Sequence, residues 1–406
     1  MTADLPMTSA AATPLAASER TVVIDALRGF ALLGILVVNF GGSPGDAWPR
    51  IDSFLNEVIS AMAADSFYPL YAFLFGLGFA AQLRRGRERG SAVLRIYLRR
   101  LLALFLIGSV HCVLIWSGDI LVPYAIIGLL LIPLQRLGDR WLVVLALAVL
   151  VLGGFSERVR PVVDSADWSP APREARRLAS TFASSAMDGI TQRVAQDPSA
   201  SRWRSYRATV AGNWQVLGGR VHQQLSGLTL FSDILGFFLI GLVVGRRRLL
   251  QEAAAHVRGF GWVALAAGLL SVASTAWSYT HQDLPRIQTL LLYTGQNLGA
   301  TCFYICAFAF AFAAFPTVAE RMKVFAPAGR IGLTNYLMQS IVMTLPFATY
   351  GLRIDHPATT VWLLIDLAFF FAIQLPLSHW WVMRFRFGPA EWVWRSVTYS
   401  KPQPMH

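Results

Sequence analysis

Long apolar stretches alternate with short polar segments along most of this chain. About ten stretches approach the roughly 20 apolar residues that a helix needs to cross a bilayer. They lie near 22–42, 65–83, 96–116, 119–136, 140–156, 227–246, 259–279, 288–315, 329–350 and 359–384. The pattern predicts an all-α fold, a polytopic bundle of about ten transmembrane helices.

The arginines predict how this bundle is oriented. Seven of them fall between residues 84 and 100, around the connection between the second and third apolar stretches. Short loops rich in Lys and Arg stay in the cytoplasm. Counting outward from this connection, the basic segments 136–140, 246–258 and 316–330 also fall on the cytoplasmic side, and so do both termini.

The same threading divides the chain into five parts. An N-terminal tail (1–19) precedes a first membrane half (20–156), an outer loop (157–226), a second membrane half (227–386) and a cytoplasmic C-terminal tail (387–406). The N-terminal tail is rich in Ala, Thr and Pro and lacks a basic region followed by an apolar run. It is therefore predicted to be disordered and not a cleaved signal peptide.

The outer loop contains an amphipathic pattern. Its apolar positions recur at spacings of three and four, which is typical of a helix with one apolar stripe. They are Trp203, Tyr206, Val210, Trp214, Leu217, Val221 and Leu225. Two interpretations stay open: a helix lying in the membrane interface, or a helix packed on the outer face of the bundle.

Composition, net charge and cysteine content refine the prediction of a membrane protein without changing it. The chain is 55% apolar and 14% charged, against roughly 25% charged residues in soluble domains. The net charge of +12 is attributed to cytoplasmic rims beside anionic headgroups, so no nucleic-acid partner is expected. The three cysteines lie in apolar stretches and predict neither disulfides nor a metal site.

His111 is the sharpest candidate for chemistry. It lies about 14 residues from the cytoplasmic end of stretch 96–116, hence roughly 21 Å into the bilayer. An ionisable group at that depth is a functional hypothesis, because burying it costs free energy unless it has a partner or a wet cavity. Imidazole titrates near neutral pH and suits proton transfer. The structural alternative is a neutral histidine bonded to a neighbouring helix.

Asp119 follows a tight reversal that Gly118 allows. If the chain folds back there, Asp119 could orient the imidazole of His111 or bind an acceptor at the outer mouth. Its alternative role is to cap the helix that begins at 119. The two roles are compatible.

Other polar residues inside the apolar stretches are weaker candidates. Arg28 and Asp25 share a helix face and could be a snorkelling ion pair. Asn39 lies near the outer end of the first helix, where its amide could donate to an oxyanion, or simply end the helix. Asn335 and Gln339 form a polar ridge that either lines a cavity or joins helices. Further ionisable groups that would suit a proton relay are Asp233, Asp366 and His379.

Several motifs in register resemble the YeiB-like bacterial membrane proteins, a family of unknown function. They are DALRGFALLGILVVN at 25–39, FLFGLG at 73–78, the stretch from Gly108 through His111 to Leu121, GR at 329–330, LTNYLMQ at 333–339 and GPAEWVWR at 388–395. The resemblance spans nearly the whole membrane region and implies a bacterial inner-membrane, multi-pass protein.

This family is similar to a wider clan of transmembrane acyltransferases, which includes polysaccharide O-acetylating enzymes and the lysosomal heparan glucosaminide N-acetyltransferase. Many O-acetylating members carry an arginine, ten residues and then a catalytic histidine in the first helix. Here Arg28 matches the arginine, but Asn39 stands where the histidine would be. The lysosomal branch also has asparagine there, and the departure leaves His111 as the candidate base.

The resemblance implies an acyltransferase that moves an acyl group, expected to be acetyl, from cytosolic acyl-CoA to an extracytoplasmic sugar, lipid or small-molecule acceptor. Acyl-CoA would be a co-substrate beside Arg28, Arg99 and Arg100, with no permanently bound cofactor or metal. His111, Asp119 and Asn39 would be catalytic. Trp116, Asn335 and Gln339 would contact substrate.

Two other functions stay open. One is a proton-coupled transporter of a small or lipid-linked solute. The other is a structural or signalling membrane protein whose polar residues only join helices. The expected partners are the bilayer, acyl-CoA and the acceptor, and a homodimer stays open.

Overall fold

A computed structural model of the chain describes residues 22–39, 48–63, 66–88, 93–163, 202–225, 233–281, 286–348, 350–354 and 357–406. The predicted disordered tail 1–19 and residues 164–201 of the predicted outer loop lie outside these ranges. Within them the chain is helical and contains no β-strand. The all-α prediction is confirmed for this part of the chain.

The helices, in chain order, are α1 (Val22–Asn39), α2 (Pro49–Met62), α3 (Phe67–Glu88), α4 (Val93–Leu114), α5 (Leu121–Gly128), α6 (Leu131–Leu134), α7 (Asp139–Val163), α8 (Arg202–Leu225), α9 (Asp233–Arg246), α10 (Val257–Thr280), α11 (Arg286–Ala314), α12 (Pro316–Met322), α13 (Ala326–Arg330), α14 (Gly332–Thr344), α15 (Thr359–Ala368), α16 (Leu375–Arg384) and α17 (Pro389–Tyr399). A π-helical segment, Phe369–Gln374, joins α15 to α16 without a break.

Among the described residues, four helices are long and apolar enough to cross a membrane. They are Val22–Asn39, Ala253–Ser278, Leu291–Ala314 and Thr359–Arg384. This agrees with a membrane protein. The predicted total of about ten spanning helices and the cytoplasmic position of both termini stay predictions.

Within the bundle, α3 and α9 pack closely because their backbones approach each other at glycines. A Cβ atom on Gly76 of α3 would lie 2.0 Å from the carbonyl oxygen of Phe238, and one on Gly241 of α9 would lie 2.0 Å from that of Phe73. No side chain fits at such distances, so only glycine lets these helices approach so closely. Gly76 and Gly241 therefore serve helix packing.

Two predicted stretches are divided in the structure. Stretch 119–136 forms α5 and α6, separated by a turn at Leu129 and Leu130. Pro133 has no N–H to donate to the carbonyl of Leu129, so a continuous helix would leave that carbonyl unpaired. Stretch 329–350 is interrupted at Ile331, between α13 and α14.

The C-terminal tail also differs from a simple polar tail. Residues Pro389–Tyr399 form α17, which packs on the first turns of α4, where the indole N–H of Trp394 donates to the carbonyl of Arg100 at 3.0 Å. Glu391 reaches from α17 to the start of α14 and accepts hydrogen bonds from the N–H groups of Leu333 and Thr334. The tail thereby caps a helix of the bundle.

Candidate functional site

His111 and Asp119 meet where α4 ends and the chain turns back into α5. His111 lies in the last turn of α4, and residues 115–120 reverse the chain before Leu121 begins α5. The reversal brings Nδ1 of His111 to 2.7 Å from Oδ2 of Asp119. The two side chains are 1% and 0% exposed. The fold-back that contact between them requires is therefore present.

Asp119 also caps α5, and each of its oxygens has one role. Oδ2 faces the imidazole, while Oδ1 accepts hydrogen bonds from the N–H groups of Leu121 at 2.8 Å and Val122 at 2.9 Å. These are the first N–H groups of α5, which have no partner inside the helix. The capping and orienting roles coexist in one carboxylate, which is held fixed by the cap.

Two glycines make room for this arrangement. A Cβ on Gly108 of α4 would lie 2.9 Å from Oδ1 of Asp119 and 2.8 Å from Cβ of Leu121, so α4 and α5 could not approach each other as they do. A Cβ on Gly118 would lie 2.2 Å from the ring of Trp116. The buried indole of Trp116 thus fills the reversal, with its ring centroid 6.3 Å from that of His111.

The second nitrogen of the imidazole is the chemically notable atom. Nε2 of His111 is buried and has no hydrogen-bond partner within the described part of the chain. Because a carboxylate can only accept, Asp119 favours the tautomer whose proton is on Nδ1. Nε2 then carries a lone pair that can take a proton from a bound molecule.

Two residues beside the pair were not singled out in the sequence. Tyr336 of α14 lies with its ring centroid 5.2 Å from that of His111, and its hydroxyl accepts the N–H of Ile120 at 3.3 Å. Arg220 of α8 donates from Nη1 to the carbonyl of Asp119 at 2.5 Å. Both fix the loop that carries Asp119. Neither motif nor spacing marks them, because their partners are 216 and 101 residues away.

Asn335 and Gln339 lie on the same helix as Tyr336 but belong to a different cluster, the amide network, formed by Asn335, Gln339, Gln374 and Ser378. Nδ2 of Asn335 donates to Ser378 at 2.9 Å and to the carbonyl of Ala328 at 3.0 Å. Nε2 of Gln339 donates to Oε1 of Gln374 at 2.8 Å. No hydrogen bond between described residues joins this network to His111, and the predicted substrate contacts of its members stay predictions.

The predicted cofactor-binding arginines are placed differently from one another. Arg28 pairs with Asp25 at 2.9 Å. Arg99 is exposed, whereas Arg100 is half-buried between the rings of Phe75 and Trp394, 5.2 and 4.7 Å from their centroids. Asn39 ends α1 half-buried, and no hydrogen bond between described residues joins it to His111.

The remaining ionisable candidates are dispersed. Asp233 accepts a hydrogen bond from the hydroxyl of Tyr68 at 3.3 Å. Asp366 is 1% exposed, and its Oδ1 has no partner among the described residues. His379 is exposed on α16. The described residues do not bring these three groups together with His111.

The fold and the site define a class: a helical membrane protein with a buried histidine–aspartate pair at one helix turn. Residues 244–401 match a family described as proteins of unknown function, DUF418. The chain is 28% identical to the uncharacterized protein YxaH of Bacillus subtilis strain 168, over 97% of each chain. It is 29% identical to the uncharacterized protein YeiB of Escherichia coli K12, over 95% of this chain and 98% of that one. These likenesses confirm the resemblance to the YeiB-like family of unknown function. No solved structure matches significantly.

Proposed function

We propose that this protein is a multi-pass inner-membrane acyltransferase that moves an acyl group, with acetyl as the first choice, from cytosolic acyl-CoA to an extracytoplasmic sugar, lipid or small molecule. The observation that carries the proposal is the His111–Asp119 pair, whose free Nε2 is aligned by a buried carboxylate. A histidine–aspartate pair of this kind suits a reaction in which a weak nucleophile loses a proton. Acyl transfer to a hydroxyl or an amine is such a reaction.

The chemistry assigned to the pair is a balanced acyl transfer. Nε2 of His111 takes the proton of the acceptor hydroxyl or amine as that group attacks the thioester carbonyl. The new C–O or C–N bond forms, the C–S bond breaks, and the imidazolium returns its proton to the departing thiolate. Asp119 stabilises the imidazolium while it exists, because the carboxylate lies 2.7 Å from Nδ1.

The oxyanion would need a donor, for which Asn39 and Asn335 are the candidates. The side-chain N–H groups of Asn335 are engaged by Ser378 and Ala328. Asn39 ends its helix half-buried, with no such engagement among the described residues. Asn39 is therefore the better candidate donor of the pair.

In this proposal about ten helices span the membrane, both termini are cytoplasmic, and acyl-CoA meets the arginines of the inner rim. Arg28 and Arg99 offer cationic groups that the bundle leaves partly accessible to phosphate. Arg100 is braced by Phe75 and Trp394. Arg100 would act as a fixed positive charge at the same rim.

The test is acetyl-CoA binding and slow thioester hydrolysis by the purified protein in nanodiscs. His111→Ala is expected to retain binding and to lose about a hundredfold or more in turnover. His379→Ala is the matched control, because His379 is an exposed histidine in another apolar helix, and it should turn over normally. Absence of acetyl-CoA binding by folded protein would remove the acetyl-CoA version of the proposal. Equal turnover in both variants would remove His111 as the base.

A proton-coupled transporter is the second candidate, and Asp366 favours it. A buried carboxylate oxygen without a partner in an apolar helix is a group that can bind and release a proton. Reconstituted vesicles distinguish the two functions. If the protein is a transporter, the pH of the vesicle lumen should change when solute is added. This pH change should disappear in Asp366→Asn, and acyl-CoA should not be turned over.

A further inference from the structure

An apolar groove lies beside the His111–Asp119 pair, between the end of α4 and the helix α8. Its volume is about 580 Å³, within the range of roughly 300–1,000 Å³ typical of ligand sites. Val113 and Leu114 form one wall, and Trp203, Val210 and Trp214 belong to the other. Its surface is almost wholly apolar, so it suits a hydrocarbon chain better than a sugar or a nucleotide.

The groove is continuous with a surface of α4 that is suited to lipid. Large apolar side chains are exposed at every fourth position along the helix, so each lies beside the next on a ridge that winds slowly around the helix. They are Leu94, Leu98, Leu102, Leu106, Val110 and Leu114. The last of them lines the groove. The stripe covers 20 intervals, or about 30 Å at 1.5 Å per residue, the thickness of a bilayer's hydrocarbon core.

The walls of the groove are fixed by bonds from polar side chains of α8 to the end of α4. The hydroxyl of Tyr206 donates to the carbonyl of Leu114, and Nδ2 of Asn213 donates to that of Val113, both at 3.2 Å. The same helix leaves Trp203 and Trp214 67% and 66% exposed. Tryptophan prefers the level of the lipid headgroups. The helix thus packs on the bundle by one face and presents its tryptophans outward, which combines the two interpretations left open by the sequence.

One charged residue completes the groove. Arg207 is exposed on α8 and belongs to the lining. A cation at the rim of an apolar groove, at the depth that tryptophan marks, complements a lipid that joins a hydrocarbon chain to a phosphate.

From this combination we infer that the groove between α4 and α8 binds one hydrocarbon chain of an anionic membrane phospholipid, with Arg207 contacting its phosphate. The inference goes beyond the acyltransferase proposal, because it concerns binding alone and would hold for a transporter as well. A phospholipid bound in the groove would place its headgroup beside the turn that carries His111. His111 is two residues before Val113, which lines the groove.

The experiment uses the full chain in phosphatidylcholine nanodiscs that contain a small fraction of phosphatidylglycerol bearing a photoactivatable group in one acyl chain. Peptide mapping after illumination is expected to enrich crosslinks at Val113 and Leu114 and along 203–215. Ala211→Trp places a large ring in the groove and should lower this labelling at least fivefold. Ala208→Trp, an exposed position on the same helix outside the lining, is the matched control and should label normally.

The headgroup part has its own pair of variants. Arg207→Gln should reduce the preference for phosphatidylglycerol over phosphatidylcholine about fivefold, the loss of roughly 1 kcal/mol expected for one arginine near a headgroup. Arg202→Gln, exposed on the same helix but outside the groove, should not. Labelling spread evenly over exposed apolar positions such as Leu269, or equal labelling in both tryptophan variants, overturns the groove. An unchanged lipid preference in Arg207→Gln overturns the phosphate contact.

Discussion

The His111–Asp119 pair and the amide network are both buried polar clusters, yet they use their polar atoms in opposite ways. In the amide network the side-chain N–H groups of Asn335, Gln339 and Gln374 all donate hydrogen bonds, while Oε1 of Gln339 is buried without a partner within the described residues. In the pair, the carboxylate is fully engaged by the cap and the imidazole, but Nε2 of His111 is left open. The open atom of the network is a weakly basic amide oxygen, whereas the open atom of the pair is a basic nitrogen.

This difference indicates what each cluster is for. Amides that satisfy one another join helices where no water is present. A carboxylate that aligns an imidazole and leaves its second nitrogen free is an arrangement for moving a proton. Breaking the network should therefore reduce stability and spare activity, whereas breaking the pair should do the reverse.

Asp119→Asn should give the largest effect. The asparagine keeps an oxygen that can cap α5, but it presents an NH₂ group to Nδ1 of His111. Nδ1 must then accept, the proton moves to Nε2, and the base is blocked. We expect thioester turnover to fall about a hundredfold, or roughly 2.7 kcal/mol in activation free energy, measured by initial rates in nanodiscs.

Asp52→Asn is the matched control for this change. Asp52 is also a fully buried aspartate that caps a helix, accepting from the N–H of Thr360 at 2.8 Å. Its turnover should stay within twofold of the native rate. Equal losses in the two variants would mean that cap geometry, and not the tautomer, governs the rate.

Gln339→Leu should reverse the pattern. It removes the donor to Gln374 and to the carbonyl of Leu32, so Oε1 of Gln374 loses this partner inside the bundle. The expected cost is about 1 kcal/mol of stability, read as a lower midpoint of thermal unfolding in detergent, with turnover unchanged. A loss of turnover at full stability would instead place Gln339 in the site and erase the contrast between the clusters.

Tyr336→Phe should have a smaller effect on the pair alone. The ring contact with His111 persists, but the N–H of Ile120 loses its acceptor, so the loop that carries Asp119 is less well fixed. We expect turnover to fall about threefold, in line with a loss of roughly 0.5–1.5 kcal/mol for one neutral hydrogen bond. Tyr97→Phe, which removes a buried hydroxyl bonded to the carbonyl of Gly128, is the control and should leave the rate unchanged.

The smallest effect is expected at the predicted cytoplasmic rim, where Asp139 pairs with Arg246 and Arg247. Partial burial raises the pKa of Asp139, but hydrogen bonds from Arg247 and Arg246 outweigh it and leave the pKa below its usual value. Stability from the pair is therefore present above pH about 3.9 and lost as the pH falls through the lower folded-state pKa.

Asp139→Asn should cost at most about 0.5 kcal/mol at pH 7, because the pair is partly exposed. The native protein and the variant should converge in unfolding midpoint as the pH falls below about 3.9. A difference that grows on acidification would contradict the lowered pKa. The change in stability in Asp139→Asn therefore gives the contribution of a polar contact that belongs to neither buried cluster.

Much of the local structure was predictable, because it depends on neighbouring residues. The apolar stretches predicted helices, Gly118 predicted the reversal, and eight residues of spacing allowed His111 and Asp119 to meet once the chain turned back. The breaks inside the apolar stretches were not predicted. The turn after α5, for example, depends on which carbonyls Pro133 leaves unpaired.

The surroundings of the site could not be predicted from one sequence. Tyr336 and Arg220 reach the pair from helices more than 100 residues away, and nothing in their local pattern distinguishes them from other tyrosines and arginines. Asn335 and Gln339 lie on the same helix as Tyr336, yet their positions around that helix direct them to the amide network. Which face of a helix meets which neighbour is decided by packing, not by spacing alone.

The central claim is that His111 and Asp119 act as one unit on a thioester. Its most direct measurement is acetyl-CoA hydrolysis by the native protein, His111→Ala, Asp119→Asn and the double variant, all folded and in the same nanodiscs. The account predicts that the double variant is no slower than His111→Ala, because the aspartate works only through the imidazole. It would be contradicted by native protein without turnover, by turnover that survives His111→Ala, or by losses that multiply in the double variant.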